Sequence, residues 1–373
     1  MRFDAAFRDP ALARELIAAI HRLADDRPLA FMEFCGGHTH AIMQFGIRQL
    51  MPPNLRLLSG PGCPVCVTSQ RDIDQAIALA EVPEVTVATF GDMVRVPGTR
   101  FTLQEAAANG GDVRIVYSPL DAVQYAHDHP REQVVFLGVG FETTAPGVAA
   151  SILTARARGI RNYSVFSMHK YTPPGMRAIL DAGEVCLNGV LGPGHVSSIT
   201  GVRWWRFLPD VYNMPVVIAG FEPVDILLAI QALVRLVVAG KAAAVNTYRR
   251  SVSEAGNRAA IGIMTQVFEP ADADWRGFGV IPESGMAIRP TYRAYDARAR
   301  FALSEVPSRE PPGCRCGDVL RGVIEPPECP LFGQACTPER PKGPCMVSDE
   351  GACSAFYLYQ SVTLEDHPTT LSG

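Results

Sequence analysis

Between residues 29 and 221, short apolar runs alternate with segments of helical spacing, and that alternation constrains the fold more than any other feature. The runs are residues 29–34, 55–59, 85–90, 113–117, 133–140, 163–167, 185–191 and 215–221. Helix signals fall between them. Thr102 with Glu105 reads as a capping box closed by Gly110, and Ser118 ahead of Pro119 opens a helix that must end by Pro130. Strand–helix alternation builds parallel sheets, either closed as a barrel or open and doubly wound. Short internal echoes favour two halves: Gly60-Pro61-Gly62 with Gly192-Pro193-Gly194, and Gly140-Phe141-Glu142 with Gly220-Phe221-Glu222. The expected fold class is therefore α/β, with two doubly wound α/β domains (1–130 and 131–250) facing a cleft and a loop-rich, cysteine-rich C-terminal domain (251–373).

A chain of 373 residues, 47% of them hydrophobic, can bury more than one core. Its net charge of -4 and lack of a Lys/Arg block exclude a nucleic-acid surface, which must neutralise phosphates. Residues 1–26 read as an amphipathic helix capped by Asp9 with Pro10 at its first position, without the apolar core of a secretory signal. Residues 226–239 are interrupted by Gln231 and Arg235 and are shorter than the ~20 residues of a membrane span, so a buried helix and a cytoplasmic protein are expected. Ten cysteines without an export signal read as metal ligands or redox groups before structural disulfides.

In either architecture ligands gather at the C-terminal ends of the strands, and the unusual residues fall there. After the second run, Gly60-Pro61-Gly62 delivers Cys63 and Cys66 at CxxC spacing ahead of a helix that Ser69 caps, with Asp72 in its first turn. Three readings are open for this pair: a redox dithiol, half of a metal site, or two buried small residues. After the first run, Cys35-Gly36-Gly37-His38-Thr39-His40 offers a thiolate and imidazoles in one loop, and Cys35 with His38 can grip a metal ion while leaving positions open. The bland alternative has both histidines capping the helix and Cys35 packing.

Residues 138–144, Gly-Val-Gly-Phe-Glu-Thr-Thr, lack the third glycine of a dinucleotide loop and the lysine of a P-loop. Thr143 or Thr144 capping the next helix is one reading, and a cation or proton-transfer role for Glu142 is the other. His169, Lys170 and His195 stand at later strand ends, and Cys186, inside an apolar run, reads as a core residue.

Beyond residue 239 the alternation weakens into a helical pattern at 254–268, irregular sequence, a helix-like 292–303 and a proline-rich linker at 306–313. The tail that follows holds Cys314, Cys316, Cys329, Cys336, Cys345 and Cys353 in sequence with too little apolar periodicity to fold on its own core. The spacing lacks the paired CxxC of a zinc ribbon, no histidine intervenes, and Pro330 follows Cys329. An iron–sulfur cluster held by four of the six suits this pattern better than zinc or disulfides.

Together, Cys-Gly-Gly-His-Thr-His at 35–40, Gly-Pro-Gly-Cys-Pro-Val-Cys at 60–66, Gly-Phe-Glu-Thr-Thr at 140–144 and the six-cysteine tail resemble the HypD family of [NiFe]-hydrogenase maturation factors. The resemblance runs over essentially the whole chain. It implies two α/β domains and a third bearing a [4Fe-4S] cluster. It also implies a scaffold role: with a small HypC-type partner, the chain would hold the iron that becomes the Fe(CN)2CO unit, accept cyanide from a HypE-type protein, and pass the unit toward the hydrogenase large subunit. Carried over by position, Cys35 binds the assembly iron with His38 close by, and Cys63 with Cys66 is a redox dithiol. Cys314, Cys329, Cys336 and Cys353 become the cluster ligands, and Cys316 with Cys345 a second dithiol. Two further functions stay open on the residues alone: a [4Fe-4S]-dependent thiol–disulfide oxidoreductase, and a zinc protein with a binding role.

Overall fold

The structure is a computed structural model that describes residues 5–301, 303 and 307–359. Four stretches expected from sequence therefore run partly outside the described residues: 1–4 of the N-terminal helix, Ala302 of the helix-like 292–303, Val306 of the linker, and 302, 304–306 and 360–373 of the third domain.

The chain is α/β, with two parallel sheets. One has five strands in the order β2-β1-β7-β8-β9 and the other four in the order β4-β3-β5-β6. The first is built from β1 (Leu29–Glu33), β2 (Leu55–Ser59), β7 (Gly189–Gly192), β8 (Val216–Ile218) and β9 (Ala244–Asn246). The second contains β3 (Val85–Thr89), β4 (Asp112–Ile115), β5 (Gln133–Gly138) and β6 (Tyr163–Ser167). Every pairing in both is parallel. In each, the strand order reverses once, between β1 and β7 and between β3 and β5, which is the doubly wound signature.

The boundary expected at residue 130 falls inside the four-stranded sheet, because β3 pairs with β5 across it, Val87 opposite Val135. The five-stranded sheet in turn draws its strands from both ends of the alternating region, since β1 pairs with β7. The two sheets are thus interleaved along the chain instead of consecutive. Parallel strands are joined by crossovers, and a long crossover can carry a whole second sheet as readily as one helix.

The helix starts follow the local rules. Asp9 accepts from the amides of Ala11 and Leu12 ahead of the helix Pro10–Ala24, and Ser69 accepts from Asp72 ahead of Gln70–Ala80. The capping boxes at Thr102/Glu105 and Ser118/Asp121 are both formed. Thr144 stands at the N-cap of the helix Ala145–Ala157, but its hydroxyl donates backward to Val139 O at 3.3 Å and caps nothing.

The region after residue 239 departs from the expected irregularity. β10 (Phe268–Trp275) and β11 (Gly279–Ile288) form an antiparallel hairpin with a register shift between Ala271 and Ala273. Its tip reaches back to the CxxC loop: the Arg276 amide donates to Val67 O at 3.0 Å, and the buried guanidinium bonds Thr68 O and Gln70. Cys186 also differs from expectation. It lies exposed in the segment before β7, because that strand begins only at Gly189. No helix among the described residues is long and apolar enough to cross a membrane.

Candidate functional site

Ligands of open α/β sheets bind outside the strand C-termini where the order reverses. In the five-stranded sheet that point lies between β1 and β7, and the loop leaving β1 begins with Cys35. Cys35 is the extended residue before the helix Gly36–Gln44, and its backbone oxygen accepts from the amides of His38 at 2.8 Å and Thr39 at 3.2 Å. A soft donor thus sits at a helix N-terminus, where the dipole favours negative charge.

The two sulfur loops are neighbours. Gly36 N donates to Gly62 O at 3.1 Å, and a Cβ on Gly62 would stand 2.2 Å from the Cys35 nitrogen, so only glycine permits this approach. Just beyond it, Cys63 opens the short helix Pro64–Val67 and is joined to Cys66 by a disulfide.

Cys35 is buried, and burial, reinforced by the carboxyl groups of Glu350 and Glu33, pushes its thiol well up. Burial thus favours the thiol over the thiolate expected from sequence, and a metal bound there has to displace its proton. Glu33 accepts from the Cys35 amide at 2.9 Å and from the Thr39 hydroxyl, and burial raises its carboxyl to about 7. Neither Glu33 nor Glu350 stands out in the sequence. Glu350 lies in a polar loop among cysteines, and only folding brings it onto Gly36.

His38 is fully enclosed, with Nε2 3.0 Å from Gly220 O and 3.3 Å from Ala219 O. Its ring stacks on Phe221 at 4.7 Å, and Phe221 also stacks on His195 at 3.8 Å. His195 thereby joins the Cys35 neighbourhood. His169 and Lys170 are held by the hairpin instead: the His169 carbonyl accepts from Met286 N at 3.1 Å, and Lys170 Nζ donates to Asp274 O at 2.9 Å. Glu142 is buried, and both carboxylate oxygens are taken by Thr172, through the amide at 2.9 Å and the hydroxyl at 2.7 Å. That places it under the start of the helix Thr172–Ala182. Burial raises it to about 7.

All six tail cysteines line one small apolar pocket, with Leu331, Phe332, Gly343 and Met346 completing its wall. Within it Cys316 Sγ lies 2.6 Å from Cys345 Sγ. The Cys345 sulfur holds Cys316 below its usual range, burial opposes this, and the Arg276 guanidinium adds to the lowering. The other four thiols are Cys314, Cys329, Cys336 and Cys353. Burial raises Cys314 and Cys336, and each of these two also feels Cys329 and Cys353. Among the described residues, no three His, Cys, Asp or Glu side chains are disposed to hold a single metal ion. The tail runs directly to the other sulfurs, since Cys66 Sγ is 3.9 Å from the carbonyl of Pro344, the residue before Cys345.

Residues 11–360 match the model of a protein family described as "HypD: Hydrogenase formation hypA family". The chain belongs to the HypD family of hydrogenase maturation factors. It is 45% identical to the hydrogenase maturation factor HypD of Rhodobacter capsulatus over 96% of this chain and 98% of that protein. Against HypD of Azotobacter vinelandii it is 46% identical, over 96% and 97% of the two chains. Against HypD of Escherichia coli K12 it is 43% identical, over 96% and 98%. The likeness to HypD thus extends through the strand-end loops and the cysteine tail alike.

Proposed function

We propose that this maturation factor is the scaffold on which an iron ion receives cyanide and carbon monoxide, with Cys35 as its protein ligand. A small HypC-type partner would share the iron through a cysteine of its own, a HypE-type partner would bring the cyanide, and the finished unit would pass to the hydrogenase large subunit. In this reading the two α/β units face one another across the Cys35 loop, the tail is a third domain, and the work is done in the cytoplasm. The observation that carries it is the convergence on Cys35: a thiol at a helix N-terminus, beside a cysteine pair from the neighbouring strand, with the cysteine tail against both.

Cys314, Cys329, Cys336 and Cys353 are the residues that would hold a [4Fe-4S] cluster, and the donor set fits, being thiols in an apolar cavity in a segment that lacks a core of its own. Such a cluster supplies electrons singly. Cyanide carried as a thiocyanate on a partner's sulfur needs two electrons to leave. Cys63 and Cys66 as thiols supply them, with two protons: the thiocyanate becomes a thiol and hydrogen cyanide, and the pair becomes the disulfide seen here. Cys345, one residue beyond the Cys66 contact, would reduce it again by exchange together with Cys316, which its sulfur meets at 2.6 Å.

The test is anaerobic purification with the small partner and infrared spectroscopy in the cyanide and carbonyl region. Those bands are expected in the native complex; their retention in Cys35→Ala would overturn the reading. The paired sulfurs also suit a plain thiol–disulfide oxidoreductase, which needs Cys63 and Cys66 but not His38. Disulfide turnover that survives His38→Ala, without cyanide bands in the native complex, would favour that function.

A further inference from the structure

His38 has half of its hydrogen bonding complete. Nε2 faces the carbonyls of Ala219 and Gly220, whereas Nδ1 is buried and has no partner. A carbonyl only accepts, so the proton belongs on Nε2, and Nδ1 keeps a bare lone pair. Nδ1 is the ring nitrogen nearer its own main chain, and that main-chain amide donates to the Cys35 carbonyl oxygen at 2.8 Å. Lone pair and thiol thus both belong to the first turn of Gly36–Gln44.

An imidazole held only by its far nitrogen can still rotate. Phe221 removes that freedom, with rings 4.7 Å apart and inclined at 27°. Phe221 is itself stacked on His195 at 3.8 Å and met edge-on by Tyr248 at 6.0 Å, and it directly follows the two carbonyls that His38 uses. A Cβ on Gly37 would stand 3.1 Å from the Phe221 ring and 3.7 Å from Cys35 Sγ, so ring and thiol flank the same glycine.

We propose that Phe221 is a positioning residue for the iron bound at Cys35: it pins His38 against the carbonyls after β8 and so presents the Nδ1 lone pair as a nitrogen donor to ferrous iron. This rests on the reading that Cys35 takes the iron. A ligating histidine needs its other nitrogen engaged and its ring oriented, and loss of such outer support weakens metal binding about 10–100-fold.

The test uses the full chain with its cluster. Nitrogen-15 histidine labelling of the unmodified protein is expected to show His38 protonated at Nε2 and bare at Nδ1; a proton on Nδ1 overturns the proposal whatever the variants do. Anaerobic ferrous titration, read by Mössbauer signals distinct from the cluster, is expected to weaken at least tenfold in Phe221→Leu. Phe221→Tyr, which keeps the stack, is expected to bind as the native protein does. Cluster absorbance and the melting curve report whether each variant folds. Binding that survives Cys35→Ala removes the underlying reading. Binding that Cys35→Ala abolishes while Phe221→Leu and His38→Ala leave it intact removes this proposal alone.

Discussion

Gly36 and Glu350 touch: a Cβ on Gly36 would stand 2.5 Å from both the Cβ and the backbone oxygen of Glu350. The loop after β1 and the tail between Cys345 and Cys353 are therefore in backbone contact. The same tail is held from the other sheet, where Arg95, after β3, donates to Val347 O at 3.2 Å, and where the Asp92 carboxyl helps burial raise Glu350. One strap thus connects the cysteine cavity with the strand ends of both sheets.

If the two sulfur centres are separate, they can be emptied separately. Cys35→Ala is expected to lose the cyanide and carbonyl bands while keeping the absorbance and acid-labile sulfide of the cluster. Cys329→Ala is expected to lose the cluster and to make residues 314–359 sensitive to limited proteolysis, because that segment has no core apart from the one it shares with the sheets.

Burial keeps the Cys35 thiol protonated near neutrality, so binding ferrous iron must release that proton. With the thiol well above its usual range, the apparent affinity should rise about tenfold per pH unit across pH 6 to 8, as expected for one proton displaced. Anaerobic titration at three pH values measures the slope; a flat profile would mean the site is already a thiolate.

Gly62→Ala should be costly despite its small size. The added methyl would lie 2.2 Å from the Cys35 nitrogen and 2.5 Å from its Cα, all main-chain atoms that cannot swing away. Overpacking of this kind costs about 1–3 kcal/mol, and here it also displaces Cys35. Urea denaturation should show the loss of stability, and iron binding should fall with it while cluster content stays near native.

Glu142 gives a pH signature of opposite sense to a salt-bridged carboxylate. Its carboxyl rises from 4.5 to about 7 on folding, so the folded chain holds a proton that the unfolded chain has lost. Stability from this group is full below pH 4.5 and is lost as pH rises toward 7, by on the order of 3 kcal/mol between the limits. Glu142→Gln should flatten that loss in urea titrations at pH 5 and pH 8 and leave the cyanide bands intact. Lost bands with an unchanged stability profile would instead assign Glu142 to the chemistry.

The legible parts of the fold were those governed by near neighbours. The caps at Asp9, Ser69, Thr102 and Ser118 depend on side chains reaching amides two or three residues away, and each forms. The hairpin β10–β11 was not legible, because Gly277, Gly279, Pro282 and Gly285 read as breaks. Pairing across the hairpin and Asp272 accepting from the Glu283 amide tolerate them. Glu142, a candidate for proton transfer by its place in a strand-end loop, proves to be engaged with Thr172, the first residue of a later helix. Phe221 left only a faint trace, in the echo of Gly-Phe-Glu after two different strands.

The order of residues alone determined the α/β class, the strand-end positions of Cys35, Cys63 and Cys66, and the presence of a sulfur-rich tail that needs something other than a core to hold it. These follow from periodicity, turn chemistry and cysteine spacing, which act over a few residues. Only the tertiary structure decided that the sheets interleave, that Glu350 and Glu33 crowd the Cys35 thiol, that His195 and not His169 comes to it, and that the tail crosses between both sheets. Those facts depend on which strand pairs with which over separations of a hundred residues or more, and nothing in the local sequence encodes the choice.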